Sequence, residues 1–467
     1  MANIVISYFS DYGEAMYDAI TNVLLKNGNN VFRFNINNPA VSITKWGGKS
    51  LIKTKKLLDK IKDFKPDIVM NFNNCLPQNC YKILDKKCKV LVIDADAPEV
   101  AFWNKEMINK YLKQVVFLGL QSYSKKMYER YLGIKISEKN YLYFPPATIV
   151  KNEKLKQDKN ISFIGSNFYP LEVPIGTDFF SQDGIELYNA FEKNYFLTLD
   201  EAKTICKNTL NVEWLHENVS WVYAGQDRLR HMQQLTDLGF TFYGTHHWNR
   251  IAYYDFEIAR CFDPTPKTTI EENQWVYNTS KIAVNFSHPL AKSSFSWRVM
   301  DIMASNSCLL TEDKPDWREL FEKYLSKDVL DIIIYKDRFD MREKAKRLLS
   351  DEKLRQKCVK ELNNAIEQNG RWEIRFKSLE QFLNIPLLSV GKQGKLIKIE
   401  RYKKVEPQKK LVLAKKKTFI QRLRLKNRIK MCYYLLCLLY AQIPFVDFFI
   451  RKQKRQKWKN KIEKWWR

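Results

Sequence analysis

SLIKTKKLLDKIKDFKPDIVMNF, residues 50–72, sets a helix and a strand back to back. Its first part, Ser50–Phe64, has apolar residues at 51, 52, 57, 58, 61 and 64, the spacing of one helix face, with Ser50 as the expected N-cap. Lys65-Pro66 ends that helix, because proline brings no N–H to continue it. Asp67–Phe72 (DIVMNF) then reads as a short buried strand. Working outward, the unit repeats. Asn3–Phe9 (NIVISYF) and Asn30–Ile36 (NVFRFNI) are strands upstream, separated by a loop with Gly13 and a helix to about Lys26. Lys89–Ile93 (KVLVI) and Val115–Leu120 (VVFLGL) are strands downstream. Such alternation predicts a parallel sheet in a doubly wound, Rossmann-like α/β domain over residues 1–150.

Lys151–Lys159 (KNEKLKQDK) is a charged, non-periodic linker, after which the pattern restarts. Strands are expected at Ile161–Ile164, Thr241–Tyr243, Ile282–Phe286 and Leu309–Leu310. Helices are expected near Asp227–Leu238, Ile270–Ser280 and Trp297–Ser305. These make a second Rossmann-like domain over 159–335, with helices over 336–387 closing the body. Residues 170–220 read as an insertion without assigned elements.

The chain has 467 residues, 45% hydrophobic and 28% charged, which is the balance of a folded protein of two or three domains and not of a disordered one. Fifteen glycines, fifteen prolines and nine scattered cysteines exclude collagen-like, mucin-like and disulfide-scaffold classes. Without a C-x-x-C pair or H-E-x-x-H, neither a structural zinc module nor a zincin site is supported. The free thiols suit a reducing cytoplasm, and the opening MANIVISYFS lacks the basic start of a signal peptide.

The net charge of +27 is concentrated at one end. Residues 391–467 hold 25 Lys+Arg against 4 Asp+Glu, while the other 390 hold 54 against 48. The expectation is a nearly balanced body with a basic, helical tail over 388–467 that meets a polyanion. Met431–Ile450 (MCYYLLCLLYAQIPFVDFFI) is long enough to span a bilayer. Pro444 and Asp447 favour lying in the interface instead, a central Asp costing about 3 kcal/mol on insertion. The basic residues flank this greasy run and do not interleave with aromatics on a folded module, which favours an anionic membrane surface over nucleic acid. A basic extension without a partner is the plain alternative.

Five segments fall at strand ends, where ligands of such sheets bind. Phe163-Ile164-Gly165-Ser166 would let the backbone approach a phosphate, or is an ordinary turn. In Tyr277–Asn285 (YNTSKIAVN), Lys281 would neutralise a diphosphate or cap a helix. In Ser294–Ser305 (SFSWRVMDIMAS), a loop with Ser296 opens a helix carrying Arg298 and Asp301 at i, i+3. They suit a phosphate and a ribose, or form a surface ion pair. Asp94-Ala95-Asp96-Ala97-Pro98 offers two carboxylates, either of which could deprotonate an acceptor hydroxyl or cap a helix. Gly244-Thr245-His246-His247-Trp248 offers His246 for acid–base work or phosphate contact, a structural role being the alternative. Gly47-Gly48-Lys49-Ser50 only imitates a P-loop, since Ile43 stands where the first glycine belongs.

Taken together, F-I-G-S, Y-N-x-S-K-I-x-x-N and S-F-S-W-R-x-x-D-I-M-A-S-x-x-x-L-L-T resemble the CgeB-like, group 1 type of GT-B glycosyltransferase over about residues 160–325. The resemblance implies two Rossmann-like domains facing a cleft, with a nucleotide-sugar donor held by the second. It puts Asp301 at the donor ribose, Lys281 and Arg298 near the donor phosphates with Ser296 beside them, and Gly165 and Ser166 in the cleft wall. No metal or other cofactor is expected. The family's E-x7-E pair is incomplete, because Ser293 stands eight positions before Asp301. Retention and inversion therefore both stay open. The function expected is transfer of a sugar from a nucleoside diphosphate to a membrane-attached or surface-polysaccharide acceptor, by a protein on the cytoplasmic face of the membrane. A non-catalytic scaffold of the same fold and a nucleotide-sugar epimerase are the alternatives.

Overall fold

The computed structural model describes residues 1–10, 14–44, 50–94, 105–167, 178–389, 391 and 393–399. They belong to one compact unit, Met1–Arg401; a second unit, Tyr402–Arg467, lies outside the described residues, and with it Met431–Ile450. Asp96 and Gly47 to Lys49 also lie outside them.

The strands in chain order are β1 (Asn3–Tyr8), β2 (Asn30–Asn35), β3 (Ser42–Thr44), β4 (Ser50–Ile52), β5 (Ile68–Phe72), β6 (Lys89–Ile93), β7 (Val115–Gly119) and β8 (Tyr141–Tyr143). There follow β9 (Lys159–Ile164), β10 (Phe240–Tyr243), β11 (Phe262–Asp263), β12 (Ser280–Val284), β13 (Cys308–Glu312), β14 (Ile334–Tyr335) and β15 (Leu396–Lys398). The first sheet has the order β15-β2-β1-β5-β6-β7-β8, the second β11-β10-β9-β12-β13-β14, and every pairing in both is parallel. The central strands read as unbroken apolar runs because both faces are covered. In β5, Ile68, Met70 and Phe72 enter the core on one face while Val69 enters the core on the other. Two Rossmann-like domains facing a cleft are thus present.

Several local expectations change. Ser50 is not a cap: it lies in β4, paired antiparallel with β3, and the helix runs Lys55–Asp63 behind Thr54, whose hydroxyl accepts from the Leu57 N–H. The unassigned insertion is helical over its described residues, 178–220. Gln182–Lys193, Leu199–Ile205 and the long helix Val212–Gln233 bury their own small core of Leu187, Phe191, Leu215, Val219 and neighbours. The tail does not begin at Leu388, because β15 pairs with β2 in parallel register, Leu396 opposite Val31, and forms the edge of the first sheet.

Two chain crossings join the domains. Outbound, the segment around Phe144–Val150 leaves the first sheet. Inbound, the helix Glu352–Asn369 buries Cys358, Leu362 and Ile366 against the second sheet, and the helix Trp372–Leu383 buries Trp372, Phe376 and Leu379 in the first domain's core. The crossings are tied side by side: the Thr148 N–H donates to the Gly370 carbonyl at 2.9 Å and Arg375 Nε to the Pro145 carbonyl at 3.1 Å.

Candidate functional site

Both sheets present their carboxyl ends to a cavity of about 190 Å3 between the domains. The first domain contributes Asp94, just beyond β6, together with Leu120, Gln121 and Pro146. The second contributes Trp221 and Arg228 from the insertion helix, Phe286 and His288 beyond β12, and the loop Ser294–Arg298.

Arg298 is fixed by its neighbours. Its Nε donates to the Ile164 carbonyl at 2.6 Å and its Nη1 to Asn285 Oδ1 at 2.8 Å. Ser296 Oγ donates to the same Asn285 oxygen at 2.8 Å. Asn285 is itself buried and donates to Ser287 and Thr311, so loop and strand end form one network. Gly165 is required by this packing. A Cβ there would lie 2.5 Å from the Phe163 ring and 2.8 Å from the Arg298 guanidinium. Arg228, buried on its helix, donates to the carbonyls of Ser166 and Phe286. Both guanidiniums lie on the Phe163 ring, Arg228 at 5.1 Å and Arg298 at 4.8 Å from its centre.

Two cations held this close oppose each other. Burial and, after it, the charge of Arg298 lower the Arg228 pKa to about 9, and burial lowers that of Arg298. An anion in the cavity would relieve both. His288 is held neutral, its pKa pushed well below the usual imidazole value by burial and by Arg228, Lys292 and Lys314. Its Nδ1 accepts from the Leu290 N–H, which leaves the proton on Nε2.

A second cavity, about 200 Å3, shares Trp297 and Arg298 with the first and continues toward the crossings. Asp301 lines it, with Thr148, Asn273, Tyr277 and Trp372. Asp301 Oδ1 accepts from the Thr148 hydroxyl at 2.6 Å, yet burial outweighs that bond and raises the carboxyl pKa to about 6. Arg298 and Asp301 thus share a helix face, but each is bonded elsewhere and not to the other.

Of the residues singled out from sequence, Asp94, Ser296 and Arg298 line the first cavity, Arg298 and Asp301 the second, and Gly165 and Ser166 pack behind the two guanidiniums. Lys281 is a correction. It lies at the amino end of β12, level with Asn160 in β9, and its Nζ donates to Asn160 Oδ1 at 3.0 Å. The cleft is at the carboxyl end of that strand, so Lys281 cannot serve a phosphate there, nor does it cap the preceding helix. His246 is exposed at the start of a 3-10 turn, His246–Tyr253, has its ring centre 4.2 Å from that of His247 and lines neither cavity. Arg228 and His288 were missed. His288 had a signal, standing two residues beyond the expected strand end at Phe286; Arg228 had none, because only the folded insertion brings it to the cleft.

Residues 226–381 match the family described as glycosyl transferase-like, a stretch that lies largely in the second domain. No curated protein matches the chain significantly. Among solved structures, the chain is similar to T4 phage BGT in complex with UDP and Mn2+ (11% identity, TM-score 0.45, covering 82% of this chain and 99% of that one). It is also similar to sucrose-phosphate synthase from Thermosynechococcus elongatus (9%, 0.46, 82% and 98%) and a glycosyltransferase from Rickettsia africae (12%, 0.45, 82% and 98%). Likenesses this distant do not identify a substrate.

Proposed function

We propose that the protein is a glycosyltransferase moving a sugar from a nucleoside diphosphate to a membrane-attached or surface-polysaccharide acceptor. The observation that carries the donor half of this reading is the pair of guanidiniums, Arg228 and Arg298, on one phenyl ring in the cavity between two parallel sheets. In this reading the diphosphate sits at Arg298, where the cavities meet. The nucleoside enters the cavity of Asp301, in keeping with the ribose role that the family resemblance implies, and the sugar enters the cavity of Asp94. Rate enhancement comes from holding acceptor and donor together and from fixed positive charge at the departing diphosphate. The guanidiniums supply that charge, so activity is expected to survive chelation of divalent metals.

The acceptor half rests on the 25 Lys+Arg of residues 391–467 and the apolar run among them, which suit an anionic membrane surface on the cytoplasmic side. A thermal-shift series with UDP, GDP, ADP and CMP tests the donor half. One nucleotide should raise the Tm of the parent, a ligand at a hundredfold its Kd adding about 2.7 kcal/mol, and should lose that effect in Arg298→Met. No shift with any of the four would refute the reading.

A further inference from the structure

We propose that a further cavity, on the insertion side of the second domain, binds the protonated primary amine of a small ligand. None of its residues lines the two cavities of the cleft, so the proposal stands apart from the donor reading.

The cavity holds about 420 Å3, a size usual for small-molecule sites. It lies at the carboxyl ends of β13 and β14, where Glu312 and Tyr335 face Tyr195, Tyr223 and Asp227 of the insertion and its long helix. Five carboxyl side chains line it, against Lys336, Arg338 and His231. Four of them have partners. Glu192 pairs with Arg230 at 3.1 Å and Asp313 with Arg318 at 3.3 Å. Glu312 accepts from the Ser287 N–H and hydroxyl, each at 2.9 Å, and Asp337 caps the helix Arg338–Ser350. Asp227 is less engaged. Its Oδ2 lies 3.3 Å from His231 Nδ1, which itself bonds to the Asp227 carbonyl at 2.9 Å, and its Oδ1 accepts no hydrogen bond from the described residues.

Tyr223 gives an independent sign of a ligand. It is only 5% exposed, and its ring packs against Phe191 and Tyr188 in the insertion's own core. Its hydroxyl nevertheless has no hydrogen-bond partner among the described residues, and the cavity it lines is where a partner must come from. Burial and, after it, the charge of Asp227 raise the pKa of both Tyr223 and Tyr195 above the usual phenol value, so both hydroxyls keep their protons beside that carboxylate. Tyr195 and Tyr335 donate those protons to the Ser287 and Asn285 carbonyls, at 2.6 and 2.9 Å, which leaves their oxygens free to accept.

The lining is thus a carboxylate and phenol oxygens among aromatic rings, which suits a positive group with several N–H donors on a small body. A quaternary ammonium has no N–H for Asp227 and Tyr223. Among the described residues no three His, Cys, Asp or Glu are grouped to hold a metal ion. An amino sugar and an ethanolamine headgroup both carry the amine required. One segment of chain separates this cavity from the cleft. Phe286 and His288 line the cleft, while the carbonyls of Asn285 and Ser287 accept from the tyrosines of this cavity.

The test titrates the full chain by calorimetry with glucosamine, ethanolamine, glucose and choline. Saturable binding of glucosamine or ethanolamine, at least about tenfold tighter than glucose and choline, is the expected result, and the tighter of the two identifies the source of the amine. The net charge of +27 repels small cations, so such binding cannot come from unspecific attraction. Asp227→Asn should weaken it about ten- to hundredfold, and Tyr223→Phe, which keeps the buried ring, should weaken it severalfold. Parental amine affinity in either folded variant would overturn the proposal, as would equal binding of glucose or choline, or no binding of either amine.

Discussion

Replacing Gly165 by alanine adds one methyl group and removes no charge, yet it should cripple donor binding. The new Cβ would stand 2.5 Å from the Phe163 ring and 2.8 Å from Arg298 Nη2, both closer than carbon contacts allow. Phe163 is fully buried in the second domain's core, so the ring has little room to retreat. Overpacking of this sort costs about 1–3 kcal/mol in stability. The guanidinium is the easier group to displace, and moving it breaks the 2.6 Å bond to the Ile164 carbonyl and turns the charge away from the cavity. Losing one hydrogen bond between the charged Arg298 and a phosphate costs about 1.5–3 kcal/mol, or roughly a ten- to hundredfold loss of affinity. Titration calorimetry with the preferred nucleoside diphosphate reads this directly. Gly133→Ala is the control: at φ +71 with no atom within 4 Å, it strains the backbone by about 1 kcal/mol far from the cleft and should leave affinity unchanged. A Gly165→Ala protein that folds and binds nucleotide within twofold of the parent would refute the assignment of Arg298 to the donor.

The raised pKa of Asp301, about 6 against roughly 4 when unfolded, means the folded state holds an extra proton between those values. Stability should therefore fall as pH rises from 4 to 6, with a penalty of about 2–3 kcal/mol standing at pH 7. Asp301→Asn should remove that slope in urea titrations while weakening nucleotide binding; parallel pH profiles of parent and variant would count against it. Lys281→Ala should leave nucleotide affinity within twofold, since its partner Asn160 is at the far end of the sheet, and a tenfold loss measured by calorimetry would show the placement wrong. A chain ending at Arg401 should fold with parental Tm but lose salt-sensitive sedimentation with anionic liposomes. One ending at Leu387 should melt lower as well, because it lacks β15 and bares the β2 edge. Undiminished sedimentation of the shorter chains would remove the tail from the membrane reading.

The strands of both sheets were legible because each is a local apolar run bounded by polar turns, and burial of both faces leaves little ambiguity about what such a run does. Lys89–Ile93 was placed to the residue, and Asn3, Asn30 and Val115 begin strands where expected. Residues that line or back the cleft close to a strand's carboxyl end were legible for the same reason: Asp94, Gly165 and Ser166 follow their strands within one or two positions. Failures begin where a position depends on distance along an element or across the chain. Lys281 and Asn285 are four residues apart, yet they stand at opposite ends of β12, and only the register with β9 shows which end faces the cleft. Arg228 reaches the cavity because a helical insertion folds on its own small core, and Leu396–Lys398 becomes an edge strand because β2, some 360 residues earlier, leaves an edge open. Asp301 has the residue type of a ribose ligand, but its elevated pKa arises from burial, which outweighs the opposing hydrogen bond from Thr148 and is made by distant parts of the chain. Short-range sterics and hydrophobic pattern act between neighbours in sequence and can be read there. Desolvation and charge depend on everything packed around a group, and that environment exists only once the domains have closed on each other.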